Sequence, residues 1–195
     1  MGNTKEEILT VAVHLFARDG YEAVSVSRIA GELGMTKGAL YRHYQNKRDI
    51  FEHIVKRMEQ GDSEQAEKNN VPEEEMEKNP EKYQETTLKD FLEYSKSMFK
   101  YWTEDDFASS FRKMLTLEQF RNEEMQGLYQ QYLASGPVEY VKDLFRNMDI
   151  VDADYKAVRF YAIMYLYYSI YDGAQDKEKV IRQLETALNE MIREF

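Results

Sequence analysis

The stretch that decides the fold is VSRIAGELGMTKGALYRHY, which runs from Val26 to Tyr44. It places a small residue, Ala30, four positions before Gly34 and ten positions before Leu40. This is the spacing of a helix-turn-helix, in which a small side chain lets two short helices approach, a glycine makes the turn and a leucine anchors the following helix to the core. The stretch therefore predicts two short helices joined by a tight turn, with one face left for a partner.

Polar residues suited to capping stand at the start of both short helices. The hydroxyls of Ser25 and Thr36 can each accept a hydrogen bond from a backbone N–H in the first helical turn. Gly34 can take the positive φ of a helix stop at no steric cost. These signals predict one helix from Ser25 to Leu33 and a second that begins after Thr36 and continues to Tyr44.

Helices are also expected on both sides of this pair. An apolar stripe over residues 8–16 predicts a helix that ends near Gly20, and Asn46 with Asp49 is expected to open another that carries an apolar face as far as Met58. Between Glu59 and Thr87, where acids are dense and two prolines occur, we expect a solvated helix end followed by a loop. Further helical patterns cover residues 88–102, 107–115, 125–133, 138–145, 155–171 and 181–195, with a break at Gly136 and Pro137.

The composition favours an all-α fold and excludes several classes of protein. Among 195 residues there are three prolines, nine glycines and no cysteine, which leaves no disulfide, thiolate metal site or thiol nucleophile. No apolar stretch reaches the length of a membrane span, and residues 1–8 have no signal-peptide pattern, so we expect a cytoplasmic chain with no membrane partner. The sequence contains no motif for catalysis, a metal or a cofactor, so an enzyme is not expected.

Charge is distributed unevenly along the chain. The net charge is -10, which taken alone argues against a polyanionic partner. Residues 1–58 nevertheless carry nine basic and seven acidic side chains, and Gly34–Arg48 contains Lys37, Arg42, Lys47 and Arg48 without a single acid. A basic run is ordinarily a solvated helix face, but its place within the helix-turn-helix pattern favours contact with DNA.

The longer segment LFARDGYEAVSVSRIAGELGMTKGALYRHYQNKRDIF, residues 15–51, resembles the amino-terminal domain of the TetR family of bacterial transcriptional regulators. The resemblance implies an all-α fold, with a three-helix helix-turn-helix DNA-binding head over residues 1–53 and a larger helical domain for ligand binding and dimerisation over residues 54–195. Arg28 stands where the family often has an acid, and so adds a positive charge. The positions implied to contact DNA are Ser25, Arg28, Thr36, Lys37, Gly38, Tyr41, Arg42, His43 and Lys47.

Methionine and aromatic side chains are frequent in the second half of the chain and can form an adaptable apolar pocket. Most of them would serve equally well as ordinary core. On the strength of the family resemblance, we hypothesise that a small apolar or aromatic effector contacts Trp102, Phe111, Met114 and Tyr165.

The last two predicted helices have more apolar surface than one packing face needs. They could pack only within one subunit, or supply half of a four-helix interface in a homodimer, which is the sharper interpretation. Together these features predict a homodimeric repressor that binds a palindromic site on double-stranded DNA and is released by its small-molecule effector. The alternative is a helical protein-interaction module with a vestigial DNA-binding head.

Overall fold

A computed structural model of the chain describes residues 4–73, Met76 and residues 78–195. The described residues form helices joined by turns and short loops, and contain no strand. The helices are α1 (Thr4–Asp19), α2 (Val26–Glu32), α3 (Lys37–Leu40), α4 (Lys47–Lys68), α5 (Pro80–Glu85), α6 (Leu88–Glu104), α7 (Asp106–Glu118), α8 (Glu123–Leu133), α9 (Ser135–Asn147), α10 (Ala153–Gly173) and α11 (Lys177–Ile192).

The predicted all-α class is confirmed. None of the helices in the described part of the chain combines the length and the apolar character that a membrane crossing requires. The chain divides into two compact units, one made of Met1–Gly61 with Asp106–Tyr129 and the other of Asp62–Asp105 with Gln130–Phe195. The first unit thus takes in α7 and most of α8 as well as the amino-terminal helices. A functional boundary at residues 53 and 54 stays a prediction.

The first unit is built around α1, which packs against α2 and α7. The inward faces of its helices carry aliphatic and aromatic side chains that exclude water, and their burial stabilises the unit. The fully or almost fully buried apolar residues of the amino-terminal helices are Ile8, Ala12, Val13, Leu15, Phe16, Ile29, Ala30, Leu40, Ile50, Phe51, Ile54 and Met58.

The turn between α2 and α3 is fixed by its backbone. Gly34 has φ +64°, its N–H donates to the carbonyl of Gly31 at 3.1 Å, and the N–H of Met35 donates to the carbonyl of Ala30 at 2.9 Å. These two bonds make a Schellman motif, which satisfies carbonyls that the helix end would otherwise leave without partners. Since this φ favours glycine, the predicted role of Gly34 is confirmed.

The third helix is shorter than the sequence predicts. It ends at Leu40, and the chain then continues to Tyr44 through turns in which Arg42 and His43 donate backbone hydrogen bonds to residues three positions earlier, at 3.2 and 2.9 Å. The tighter hydrogen-bonding pattern ends the α-helix while keeping the chain compact. The predicted continuation as one helix is therefore wrong.

Helix α4 extends to Lys68, which agrees with the helix end expected after Glu59. Two other features differ from the prediction. A short helix, α5, lies within the expected loop and buries Tyr83. Gly136 and Pro137 do not separate two helices but lie in the first turn of α9, where a proline is tolerated because its missing N–H would have no helical partner. A Cβ atom at position 136 would collide with the backbone carbonyl of Gln131, which explains the glycine.

The second unit packs α10 against α9, α11 and α6. The inward face of α10 buries Phe160, Tyr161, Met164 and Tyr168 among others. Its outward face is also apolar, since Tyr155, Val158, Tyr165, Leu166 and Ile170 are between 40% and 65% exposed. The described residues thus leave the outward apolar surface of α10 uncovered.

Candidate nucleic-acid interface and ligand cavity

Helix α3 presents nearly all of its surface to solvent. Leu40 is its single buried residue and is fully covered, whereas Lys37, Gly38 and Arg42 are exposed and Tyr41 is 43% exposed. One leucine therefore anchors the helix to the core, and the residues around it stay on the surface. We call the exposed residues Lys37, Gly38, Tyr41 and Arg42 the α3 face.

The two predicted caps hold both short helices in place. The Ser25 hydroxyl accepts a hydrogen bond from the N–H of Arg28 at 3.2 Å, and the Thr36 hydroxyl accepts one from the N–H of Ala39 at 3.1 Å. Each cap satisfies a helix N–H that has no partner within its helix. Both hydroxyls keep a proton that they can donate to a phosphate oxygen, because each is exposed.

The cations of this region fall into two groups. Within the described part of the chain, Lys37 and Arg42 take part in no ion pair; the nearest aromatic ring to the Lys37 ammonium is that of Tyr41, with its centre 5.6 Å away. Arg28 instead pairs with Asp19 at 2.8 Å. The α3 face therefore carries two positive charges that no acid of the described chain neutralises, beside a third that is already partnered. His43, next to Arg42, is partly exposed.

Lys47 opens α4 but folds back onto the preceding loop. Its ammonium donates a hydrogen bond to the backbone carbonyl of Tyr21 at 2.9 Å and lies 4.2 Å from the centre of the Tyr21 ring. Glu22 is 3.8 Å away. Its side chain is 23% exposed, so it can reach a nearby phosphate only by exchanging these contacts.

Arg48 is engaged within the first unit. Its guanidinium pairs with both carboxylate oxygens of Glu124 and, at 2.8 Å, with Glu52. Hydrogen bonds to these two acids raise the pKa of Arg48 and keep it charged. Of the four cations in the acid-free run, Lys37 and Arg42 are thus the two that form no ion pair with a described residue.

The second unit contains a cavity of about 460 Å³. This volume is in the range of cavities that hold drug-sized molecules. Nine of its twenty lining residues are aromatic, and its charged residues are all acids. The aromatic lining residues are Tyr83, Phe91, Tyr94, Trp102, Tyr132, Tyr140, Phe160, Tyr161 and Tyr168, and the acids are Asp62, Glu73, Glu139 and Asp143.

The four residues predicted to contact an effector have different surroundings. Trp102 lines the cavity, but Phe111 and Met114 are fully buried in the core of the first unit. Tyr165 is 46% exposed and does not line the cavity. A role for these residues in ligand binding stays a prediction, with Trp102 at the cavity wall.

Asp62 is the cavity residue that the sequence reading overlooked. Burial raises its pKa to about 7, and its Oδ1 atom is buried with no hydrogen-bond partner. The available signal was its spacing, because Asp62 lies four residues after Met58 and four before Ala66, which are both buried. An acid on a buried helical stripe is uncommon and points to a function.

Residues 8–54 match the family model described as bacterial regulatory proteins, tetR family. The transcriptional regulator AcrR of Shigella flexneri is 41% identical over 51 residues, which are 26% of this chain and 24% of that protein. The chain therefore aligns with about a quarter of the length of this curated relative. The description of the relative as a transcriptional regulator agrees with the expectation that the chain is not an enzyme.

Solved structures share the fold over almost the whole chain. A transcriptional regulator from Aquifex aeolicus VF5 is similar with a TM-score of 0.73 at 17% identity, and covers 97% of this chain and 99% of its own. The complex of SmeT, from Stenotrophomonas maltophilia, with triclosan gives a TM-score of 0.68 at 18% identity, over 97% of this chain and 90% of that one. At these identities the likeness concerns the fold alone.

Proposed function

We propose that the chain is a DNA-binding transcriptional regulator of the TetR family, because residues 8–54 match the model of that family of bacterial regulatory proteins. In this proposal it acts in the cytoplasm as a homodimeric repressor on a palindromic operator, and a small molecule releases it. The α3 face carries the proposal: it combines unpaired cations, a small residue and a tyrosine on a helix that is anchored by one leucine.

The α3 face suits the major groove in both shape and chemistry. Gly38 allows the backbone to approach the DNA closely, while Lys37 and Arg42 can donate to base edges or phosphates and Tyr41 offers a hydroxyl. Thr36 and Ser25 add hydroxyl donors at the starts of their helices, and Arg28, His43 and Lys47 surround the face. In a dimer, two such faces would enter successive major grooves about 34–36 Å apart.

The outward surface of α10 supports the proposed homodimer. Exposed apolar side chains recur along this face over several helical turns, from Tyr155 to Ile170. Apolar surface of this extent favours a partner that removes it from water, and a second copy related by twofold symmetry offers the same face.

The cavity is the proposed effector site. That SmeT forms a complex with triclosan supports a small molecule as the effector of a protein with this fold. Helix α4 carries Lys47 in its first turn and Asp62 in the cavity wall. A ligand that binds one arrangement of α4 more tightly than another would shift the population of DNA-binding conformers, and so lower the affinity for DNA.

The test is to select bound fragments from the source genome with the full-length chain and then measure binding to the recovered duplex. We expect a palindromic sequence, and strong loss of binding in the double variant Lys37→Ala, Arg42→Ala. The matched control is Lys56→Ala, which removes an exposed cation of α4 away from the α3 face. If the chain binds no duplex even at low salt, the regulator hypothesis fails and the alternative, a protein-interaction module, is favoured.

A further inference from the structure

The cavity wall has a marked electrostatic bias. Its lining residues include four carboxylates and no lysine, arginine or histidine. Two of these acids are already neutralised by basic neighbours, because Glu139 pairs with Lys142 at 2.7 Å and Asp143 with Arg146 at 3.1 Å. No basic residue of the described chain lies within ion-pair distance of Asp62, and its Oδ1 accepts no hydrogen bond.

A buried carboxylate without a partner is costly, and the cost is removed when a cation binds. Burial raises the pKa of the Tyr94 phenol, and the negative charge of nearby Asp62 raises it further. Tyr94 therefore stays neutral. The positive charge that would balance Asp62 is therefore not supplied by the described cavity wall.

The aromatic wall favours an organic cation over a metal ion. The hydroxyl of Tyr140 donates to the carbonyl of Pro72 at 3.0 Å, and that of Tyr161 donates to the carbonyl of Leu133 at 3.0 Å. These hydroxyls are thus committed to the backbone, and the rings remain to form the wall. Aromatic rings attract alkylated ammonium groups through their π faces. Within the described residues, no group of three or more His, Asp or Glu side chains could hold a metal ion.

We propose that the cavity binds a monovalent organic cation with an apolar body, whose charge is balanced by Asp62 and whose remainder contacts the surrounding aromatic rings. This inference rests on the proposed function, since it specifies the chemical class of the effector. The sequence predicts an apolar or aromatic effector, and the inference adds that this effector must carry a positive charge.

The experiment compares phenyltrimethylammonium, its uncharged isostere tert-butylbenzene, and benzenesulfonate as an anion. Binding to the full-length chain is followed through the fluorescence of Trp102, the single tryptophan of the sequence, which lines the cavity, and by calorimetry. We expect the cation to bind at least about tenfold more tightly than the isostere, and the anion to bind most weakly.

The decisive variant is Asp62→Asn, which keeps the size of the side chain and removes its charge. It should lose about tenfold in affinity for the cation and little for tert-butylbenzene. Glu139→Gln is the matched control, because it also removes a lining carboxylate but one that Lys142 already neutralises. It should keep the preference. Circular dichroism verifies that all the variants are folded.

Two results overturn the inference: wild-type protein that binds tert-butylbenzene as tightly as the cation, and an Asp62→Asn variant that keeps the preference for the cation. Duplex binding measured on the same preparations separates this failure from failure of the proposed function. A wild-type protein that shows no preference for the cation, with its DNA binding intact, overturns only the organic-cation assignment. A wild-type chain that binds no DNA refutes the regulator, while the fluorescence titration still decides whether the cavity selects cations.

Discussion

The ammonium of Lys47 donates a hydrogen bond to the backbone carbonyl of Tyr21 at 2.9 Å. Tyr21 makes a second long-range hydrogen bond, in which its backbone N–H donates to the carboxylate of Glu118 at 3.1 Å. The peptide groups on both sides of Tyr21 are thus bonded to side chains of two different helices, α4 and α7. The loop between α1 and α2 is fixed by this arrangement, and Lys47 is held beside it.

Substitution of Lys47 should weaken binding to every DNA sequence alike. In Lys47→Met we expect the slope of log affinity against log salt concentration to fall by about one, because one phosphate contact is lost. The measurement is duplex binding at several salt concentrations, with Lys56→Met as the control for an exposed cation of the same helix. An unchanged slope in Lys47→Met would show that Lys47 contacts no phosphate and only holds the loop at Tyr21.

Removal of the Glu118 side chain should destabilise the fold. Glu118 is 2% exposed, and Glu118→Ala leaves the Tyr21 N–H without its acceptor, at a cost of about 1–3 kcal/mol in the free energy of unfolding. Glu118→Gln keeps an oxygen acceptor and should lose less. Urea unfolding measures both variants, and equal losses in the two would show that the negative charge matters more than the hydrogen bond.

Asp62 should make the protein less stable as the pH rises. Its pKa is raised in the folded state to about 7 by burial, so the folded chain binds a proton more tightly than the unfolded chain. The resulting stabilisation is complete below about pH 4 and is lost as the pH rises through about 7. The loss between pH 5 and pH 8 should be about 2–3 kcal/mol, at about 1.4 kcal/mol for each unit of pKa shift.

Unfolding of the wild type and Asp62→Asn by urea, at pH 5 and at pH 8, tests this dependence. The two proteins share the other lining carboxylates, Glu73, Glu139 and Asp143, so the difference between them isolates Asp62. We expect the variant to be the more stable of the two at pH 8, with a much smaller difference at pH 5. A wild type that is equally stable or more stable at pH 8 would contradict a raised pKa for Asp62.

A charge on the outward face of α10 should separate the proposed dimer. Leu166 is 57% exposed in the single chain, and Leu166→Glu would place a carboxylate in an apolar interface. Sedimentation at micromolar protein concentration should then report a monomer. Phe120→Glu is the control, because Phe120 is 86% exposed and lies in the first unit. A dimer that persists in Leu166→Glu would show that the interface does not lie on the outward face of α10.

The sequence predicted the local determinants of the fold better than the site. Ser25, Thr36 and Asn46 cap their helices as expected, and Gly34 has a positive φ, because these features depend on a few neighbouring residues. The helix that was predicted to reach Tyr44 ends at Leu40. Its continuation changes to hydrogen bonds between residues three positions apart, and the apolar pattern does not distinguish the two.

The cavity and the ion pairs depend on residues that are distant in the sequence. Arg48 and Lys37 are both cations of the acid-free run, and their neighbours in the sequence do not show which of them is paired. The partner of Arg48, Glu124, lies 76 positions away. Phe111, Met114 and Trp102 are all buried, and nothing in their spacing indicates that Trp102 alone of the three lines a cavity. Asp62 could have been singled out by its position on a buried helical stripe.

The single buried residue of α3 has a consequence for how this protein can evolve. Since Leu40 anchors the helix and the α3 face makes no contribution to the core, new side chains at positions 37, 38, 41 and 42 need not disturb folding. A duplicated copy of the chain could therefore acquire a different operator through a few surface substitutions, with its stability retained. Divergence of DNA specificity and conservation of the scaffold are in this way largely independent.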